Sequence, residues 1–224
     1  MNISGKCPPN ATELKQAATS GFENVELYLT KAHLDNFQHT VSVCTAADVN
    51  ITSVHTPHVW RHEHEYFRLS NELADHFDAV LVVHSSAVGL IDLHAVTDNV
   101  EFTVPHGFEN GNGDSDLYIR NHVFEQERQF ILDTAHLYTG VGHEEFYTVF
   151  ENLISTYGDS IPLIHLCDAT ELREGLPFGE GEINLDRIIS YLDRNYGGIV
   201  VLEVMPEYQG DALRQLNRVL NDDH

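Results

Sequence analysis

The chain has 224 residues, of which 42% are hydrophobic, so it is long enough to bury one sizeable core. That length fits one domain, since single α/β barrels commonly reach about 200–250 residues. The formal net charge is -23, and the 12 basic residues are scattered without forming a basic run. Because nonspecific binding to duplex DNA depends on Lys and Arg that neutralise phosphates, the composition argues against nucleic acid as a partner of the whole surface.

Two explanations of the acidic composition stay open. In a protein adapted to high salt, screening removes the repulsion between carboxylates. In an ordinary cytoplasm, the same surface would serve cationic partners. The acidic residues are spread along the chain and do not form a tail, and this distribution favours adaptation to high salt.

The cysteines and the N-terminus bear on the compartment. An odd number of cysteines without a CxxC pair argues against a disulfide framework and fits a reducing compartment; they are Cys7, Cys44 and Cys167. The N-terminus lacks the pattern of a signal peptide, and no apolar run approaches the roughly 18 residues of a membrane helix. We therefore expect a cytoplasmic protein without a membrane segment.

The first half of the chain alternates strands with helices. Tyr66, Leu69 and Leu73 recur at helical spacing. The run that ends at His84 is apolar up to its last residue, as buried parallel strands are. In chain order we predict a strand over Met1–Cys7, a helix over Ala11–Ser20, a strand over Asn24–Leu29, a weak helix over Ala32–Phe37, a strand over Val49–Pro57, a helix over Arg61–Phe77, a strand over Ala79–His84 and a short helical connection over Ser85–Thr97.

The second half continues the alternation. Gly111–Asp114 has the composition of a loop, and Cys167–Gly181 is a polar segment with Gly and Pro that we also predict to be a loop. In chain order we predict a strand that starts over Val100–Val104 and reaches Glu109, a helix over Leu117–Glu127, a strand ending at Asp133, a helix over Glu144–Tyr157, a strand over Ile161–Leu166, a helix over Ile183–Asn195, a strand over Ile199–Val204 and a closing helix over Asp211–Leu220.

About eight strands that alternate with helices form a parallel sheet, either doubly wound or closed into a barrel. The sequence contains neither GxGxxG after the first strand nor GxxxxGK[ST]. Six apolar runs end in His, Asp or Glu, namely at His55, His84, Glu109, Asp133, His165 and Glu203. Barrel enzymes collect their sites from the C-terminal ends of many strands. The pattern therefore favours an α/β protein with a single (β/α)8 TIM barrel over residues 1–224.

The stretch Phe130–His136 carries the clearest chemistry. An apolar run ends in Asp133, and His136 follows three residues later. A carboxylate and an imidazole at the end of a buried strand suit a divalent metal or proton transfer. Because the same arrangement recurs on other strands, we predict a site at this end of the barrel.

Four motifs together resemble a known group of barrels. They are Val54–Pro57 (VHTP), Glu109–Gly113 (ENGNG), Leu132–His136 (LDTAH), and His165–Asp168 (HLCD) followed by Gly179–Ile183 (GEGEI) and Glu203. In this order they resemble the xylose isomerase-like (β/α)8-barrel superfamily, which includes sugar phosphate isomerases and epimerases and also the endonuclease IV repair enzymes. The resemblance spans most of the chain.

The resemblance implies a metal site and a mechanism. The implied ligands of a divalent ion are Glu109, Asp133, His165 and Glu203. Glu109 and Glu203 would also be the acid/base pair that moves a proton next to a carbonyl, while the ion polarises oxygens. His136 would bind a substrate oxygen. Such ligands suit Mn²⁺, Zn²⁺ or Mg²⁺, and the implied activity is a metal-dependent isomerase or epimerase of a sugar or sugar phosphate.

The substrate-binding residues depart from the relatives. Ketose epimerases have a further carboxylate and an Arg at set distances after the first Glu and the His. Ser115 and Glu171 stand near those spacings here, and Arg173 is displaced. We keep Arg173 and His58 as candidate substrate-binding residues, although His58 could instead cap the turn after Pro57. Ordinary ketose recognition does not follow from the resemblance.

Two alternative functions are retained. His55 and His84 match the early-strand histidines of the endonuclease IV cluster and could hold a second ion. That branch also needs an Asp-x-His pair after the strand of His165, and the loop from Asp168 to Gly181 contains no histidine. One alternative is therefore an abasic-site phosphodiesterase with a reduced metal cluster. The other is a barrel that binds metal or sugar without turnover.

Two acidic residues each have two interpretations. Glu26, within an apolar strand, either points into a polar barrel mouth or faces outward. Asp168 either supports His165 or caps the loop that follows it. The sequence does not predict the oligomeric state.

Overall fold

A computed structural model describes residues 1–86, 89–90 and 100–222. Most of the predicted connection Ser85–Thr97 lies outside these residues. Ten strands are assigned within them: β1 Asn2–Cys7, β2 Asn24–Tyr28, β3 Asn50–His55, β4 Val80–Val83, β5 His106–Glu109, β6 Phe130–Asp133, β7 Leu163–Leu166, β8 Asp168–Thr170, β9 Arg173–Leu176 and β10 Ile199–Leu202.

Eight of these strands are parallel and close into a barrel in the order β1-β10-β7-β6-β5-β4-β3-β2. The remaining two, β8 and β9, form a separate antiparallel hairpin. In the part of the chain that the structure describes, helices follow the barrel strands, as the sequence pattern predicts. The prediction of a (β/α)8 TIM barrel is confirmed.

The helices begin at residues that cap them. Side chains of Asn10, Ser115 and Asn184 each accept a hydrogen bond from the backbone N–H three residues later. The helices of the described residues are Ala11–Thr19, Lys31–Asp35, Phe37–Thr45, His64–His76, Asp116–His122, Thr134–Val141, His143–Tyr157, Leu185–Asn195 and Pro206–Asp222. Among these helices, none combines the length and apolar character that crossing a membrane requires.

An apolar layer closes the barrel beneath the polar strand ends. Its members have no solvent exposure and pack apart from the larger core, and they are Val82, Ile131, Leu163 and Val201. Each lies two residues before His84, Asp133, His165 or Glu203. Side chains two residues apart on a strand point to the same side. The same alternation of side chains therefore forms both the apolar layer and the polar site above it. Gly107 admits this packing, because a Cβ there would lie 2.8 Å from Cδ1 of Ile131.

The start of β5 differs from the prediction. The segment Val100–Val104 is not part of the strand, which begins at His106. The side chain of Asn71 holds this segment, since its Oδ1 accepts from the backbone N–H of Thr103 at 2.9 Å and its Nδ2 donates to Thr103 Oγ1 at 2.9 Å. Pro105 has no N–H to contribute to a strand ladder. Asn71 therefore satisfies Thr103 in place of the strand pairing that was predicted for this segment.

Three further segments differ from the prediction. The helices Phe37–Thr45 and Thr134–Val141 were not predicted, and the second begins directly after β6 because Asp133 caps it by accepting from His136 N. The polar segment Cys167–Gly181 contains the hairpin of β8 and β9.

Candidate metal centre and active site

The C-terminal ends of four neighbouring strands bring one carboxylate or imidazole each to a common point. Ligand-competent atoms of the four residues lie within 4.8 Å of one another, and the residues are Glu109, Asp133, His165 and Glu203. Nδ1 of His165 lies 2.6 Å from Oε1 of Glu109 and 2.7 Å from Oε2 of Glu203. The structure thus brings together the four ligands that the resemblance implies.

A second group adjoins the first and shares Glu109 with it. Atoms of His55, His84 and Glu109 also lie within 4.8 Å of one another. Oε2 of Glu109 is 2.7 Å from Nδ1 of His84 and 3.1 Å from Nε2 of His55. The two histidines predicted for a second ion therefore stand beside the first group, and Glu109 presents one oxygen to each group.

The donor atoms of the first group fit a divalent cation. Oε2 of Glu203 is buried and accepts no hydrogen bond within the described residues, although Nδ1 of His165 is close to it. Burial raises the pKa of Asp133 to about 6; His136 opposes this rise, and the charges of Glu203 and Glu109 add to it. A bound cation stabilises buried carboxylates that lie close together and repel one another.

The histidines offset part of this negative charge. Burial opposes ionisation of Glu109, but His165 and His84 outweigh it and hold the pKa of Glu109 well below its usual range. For His165, burial lowers the pKa, and Glu203 and Glu26 outweigh it and raise the pKa well above its usual value. A divalent ion would take the place of the proton on His165, because a ligating imidazole is neutral.

Two residues of the centre were not assigned to it from the sequence. Glu26 is fully buried inside the barrel, so the inward interpretation is right. Its Oε1 lies 3.0 Å from Nζ of Lys6 and 3.0 Å from Nε2 of His165. Nζ of Lys6 also lies 2.7 Å from Oε1 of Glu203. In the sequence, the one indication was that each of these two charged residues lies within a short predicted strand near the start of the chain.

A cavity of about 750 Å³ opens above the two groups. His58 lines it, with its ring centroid 5.3 Å from that of His84. Burial lowers the pKa of His58 to about 4, with His55 and His84 contributing. Four residues of the two groups also line the cavity, namely His55, His84, Glu109 and Glu203. A small molecule in the cavity would therefore contact both groups.

The neighbouring strand ends fix the orientation of His136. Asn110 joins β5 to β6, since its side chain accepts from Asp133 N at 2.8 Å and donates to Asp133 O at 3.1 Å. The backbone carbonyl of Asn110 accepts from Nδ1 of His136 at 2.7 Å. Nε2 of His136 therefore faces the cavity and lies 3.5 Å from Oε2 of Glu174. Burial lowers the pKa of His136, but Asp133 and Glu109 outweigh it and raise the pKa to about 9.

The hairpin of β8 and β9 places Glu174, rather than Arg173, at the cavity. Arg173 is exposed on β9 and does not belong to the cavity lining of the described residues, whereas Glu174 and Gly175 do. Adjacent residues of a strand point to opposite faces, so the two side chains cannot both face the cavity. The substrate-binding role predicted for Arg173 has no contact to support it here.

Asp168 organises the loop that carries the hairpin. Its fully buried carboxylate accepts hydrogen bonds from the backbone N–H groups of Gly179 at 3.0 Å, Gly181 at 2.9 Å and Ile183 at 3.1 Å. All of its hydrogen bonds within the described chain go to this loop. The hydrogen bonds therefore agree with the loop-capping interpretation of Asp168.

The closed barrel and the polar cluster at its C-terminal mouth define a TIM barrel with a metal-competent site. The chain belongs to the xylose isomerase-like TIM barrel family, whose model matches residues 30–221. The family resemblance drawn from the four sequence motifs is confirmed. No curated protein matches the sequence.

Solved structures with the same fold include sugar epimerases and an AP endonuclease. The chain is similar to the apo 3-keto-D-glucoside 4-epimerase of E. coli at 15% identity and a TM-score of 0.69, covering 97% of this chain and 99% of the other. A D-allulose 3-epimerase from Methylomonas sp. matches at 13% identity and a TM-score of 0.70, covering 98% of both chains. A family 2 AP endonuclease from Brucella melitensis matches at 14% identity and a TM-score of 0.70, covering 97% of this chain and 98% of the other. At these identities the likeness supports the fold.

Proposed function

We propose that the protein is a divalent-metal-dependent isomerase or epimerase of an uncharged sugar. One observation carries the proposal: Glu109 and Glu203 come from different strands, line the same cavity and each present an oxygen within 2.7 Å of Nδ1 of His165. Two carboxylates at one ion-competent cluster can exchange protons with a bound substrate from two directions. Mn²⁺, Zn²⁺ and Mg²⁺ all suit this ligand set.

The chain's own residues carry the proton. A bound ion would act as a Lewis acid on the carbonyl and hydroxyl oxygens of the sugar. One glutamate removes the proton from the carbon next to the carbonyl, and the electron pair of that C–H bond moves toward the carbonyl oxygen. The other glutamate returns a proton to the same carbon from the opposite side, which inverts it. Alternatively it protonates the former carbonyl carbon while the hydroxyl proton of the first carbon passes to the former carbonyl oxygen, which completes an isomerisation. Nε2 of His136 faces the cavity, where it can bind a sugar hydroxyl.

The charges around the cavity favour an uncharged substrate over a sugar phosphate. Phosphate groups are commonly bound by Arg or Lys. Lys6 is the one Lys or Arg among the described residues that line the cavity, and Glu26 and Glu203 already pair with its ammonium. Residues 87–88 and 91–99 contain neither Lys nor Arg. His136 also faces the cavity with a raised pKa, but Oε2 of Glu174 already lies 3.5 Å from its Nε2, and Asp114 adds a further carboxylate that repels a phosphate.

A second candidate is a phosphodiesterase with a reduced metal cluster. It is favoured by the second group, in which His55 and His84 hold Oε2 of Glu109. If ions filled both groups, each oxygen of Glu109 would be a ligand, and Glu109 could not accept a proton from a sugar. The number of ions that the active protein holds therefore distinguishes the two candidates.

The test is a substrate panel with the protein purified gently in high salt and loaded with Mn²⁺. Uncharged ketoses, 3-keto-glucosides and their phosphate esters are incubated with the wild-type protein and with Glu203→Gln, and products are followed by NMR. We expect conversion of an uncharged sugar by the wild type and a loss of at least about 100-fold in Glu203→Gln. Conversion of the phosphate esters alone would contradict the substrate class. Incision of abasic-site DNA without any sugar conversion would replace the proposal with the second candidate.

A further inference from the structure

A row of polar side chains runs across the neighbouring strands β1, β2 and β3, on the side of the barrel opposite the carboxylates of β5 and β6. Lys6 pairs in register with Glu26 across β1 and β2, and Glu26 pairs with Ser53 across β2 and β3. Ser53 Oγ donates to Oε2 of Glu26 at 2.9 Å. A buried carboxylate is costly unless it is paired and hydrogen-bonded, and Lys6 and Ser53 supply both requirements for Glu26.

The remaining neighbour of Glu26 is the imidazole of His165. Nε2 of His165 lies 3.0 Å from Oε1 and 3.2 Å from Oε2 of Glu26. The other ring nitrogen, Nδ1, faces Glu109 and Glu203. The two ring nitrogens of His165 therefore face different carboxylates, Nε2 facing Glu26 and Nδ1 facing Glu109 and Glu203. Neither His165 nor Glu26 has any solvent exposure.

In a metal-binding histidine, the hydrogen bond made by one ring nitrogen decides which nitrogen binds the ion. We propose that Glu26 is a positioning residue, which accepts the Nε2–H of His165 and so commits Nδ1 to the divalent ion. This inference rests on the metal centre of the proposed function. Glu26 does not line the cavity, so it acts on the ion site through its neighbours, of which His165 is the one that is itself a ligand of the first group.

A matched pair of variants tests the inference. Glu26→Gln keeps the size of the side chain but replaces a charged acceptor with a neutral amide. Ser53→Ala removes the other hydrogen bond of the same carboxylate without touching His165. Zn²⁺ affinity is measured by competition with a chromophoric chelator. We expect a loss of about 10–100-fold in Glu26→Gln and a change of no more than about twofold in Ser53→Ala. Equal affinities in wild type and Glu26→Gln would overturn the inference.

A measurement on the wild-type protein keeps the inference testable if Glu26→Gln does not fold. The protein is labelled with ¹⁵N-histidine and loaded with ¹¹³Cd²⁺, and the ring nitrogens of His165 are observed by NMR. We expect direct cadmium–nitrogen coupling at Nδ1 and a bound proton on Nε2. Cadmium coupling at Nε2, or an ion-bound His165 without a proton on Nε2, would contradict the role of Glu26.

Failure of the proposed metal centre and failure of the role of Glu26 give different results. If the protein binds neither Zn²⁺ nor Cd²⁺, the metal centre of the proposed function fails, and the role of Glu26 falls with it. If the ions bind but the nitrogen assignment or the affinity of Glu26→Gln disagrees with expectation, only the role of Glu26 is wrong. Neither measurement depends on knowing the substrate.

Discussion

Oε2 of Glu109 lies 2.7 Å from Nδ1 of His84, while Oε1 of the same carboxylate lies 2.6 Å from Nδ1 of His165. One side chain thus joins the two ion-competent groups. We predict that a first equivalent of Mn²⁺ supports sugar conversion and that a second, weaker equivalent inhibits it, because the second ion occupies the oxygen that would accept the proton. Titration of ions against activity and by calorimetry measures both effects.

The variant His84→Ala isolates the second group. It should abolish the weaker binding event and the inhibition while retaining the first event. His39→Ala is a suitable control, since it removes an exposed histidine on the helix Phe37–Thr45. Two ions in the most active form of the wild type, or unchanged titration in His84→Ala, would contradict the assignment of the groups.

The net charge of -23 predicts a strong dependence of stability on salt. The Debye length is about 30 Å at 0.01 M salt and about 3 Å at 1 M, so repulsion between surface carboxylates destabilises the folded state most when salt is low. We expect the melting temperature to rise steeply from millimolar to molar KCl. Added Mn²⁺ should raise it further at each KCl concentration, because the ion binds only the folded site, and a chelator should reverse that increment. A melting temperature that stays flat across the KCl series would remove the argument for adaptation to high salt.

Asp168→Asn should destabilise the loop that positions Glu174. Four backbone N–H groups donate to the buried carboxylate, one from the adjacent Ala169 and three from Gly179, Gly181 and Ile183. An amide would turn its NH₂ group toward some of these donors, and we expect a loss of about 1–3 kcal/mol in the free energy of unfolding. Urea unfolding measures the loss. Asp186→Asn is the control, since Asp186 forms an exposed ion pair with Arg218. Equal stability of the two variants would show that Asp168 does not hold the loop.

Gly140 allows a close approach between a helix and a cavity loop. A Cβ at this position would collide with the backbone of Asp114, whereas a Cβ at Gly158 would meet nothing within 4 Å. We expect Gly140→Ala to lower the free energy of unfolding by about 1–3 kcal/mol, because the collision is with backbone that must move. Gly158→Ala should leave it within about 0.5 kcal/mol. Chemical denaturation of both variants checks the contrast, and a neutral Gly140→Ala would contradict the packing described here.

The C-terminal ends of the barrel strands were predictable because the alternation of side chains along each strand determines which residues point into the barrel. The apolar runs before His84, Asp133 and His165 announce buried strands, and the polar residue that ends each run points to the barrel mouth. The start of β5 was not predictable, because Asn71, a residue of the helix His64–His76, forms hydrogen bonds with the backbone N–H and the hydroxyl of Thr103. Local pattern cannot report a side chain from elsewhere in the chain.

The centre was predictable where the chemistry is local and not where it depends on register. Asp133 and His136 are three residues apart and show their relationship in the sequence. Lys6 and Glu26 meet because β1 and β2 pair in that register, and Glu174 lies at the cavity on the hairpin of β8 and β9, which the sequence pattern did not indicate. A single-residue shift in any of these pairings would point the side chains away.

Solvent deuterium incorporation tests the central claim most directly. The protein loaded with Mn²⁺ is incubated in D₂O with the panel of uncharged sugars, and the carbon next to the carbonyl is observed by NMR. We predict deuterium at that carbon in the product, because the proton removed by one glutamate is replaced from the other, which exchanges with solvent. The exchange should disappear with chelator and fall at least about 100-fold in Glu203→Gln. Product formed without deuterium, exchange that is indifferent to chelator and to Glu203, or no exchange with any sugar of the panel would contradict the claim.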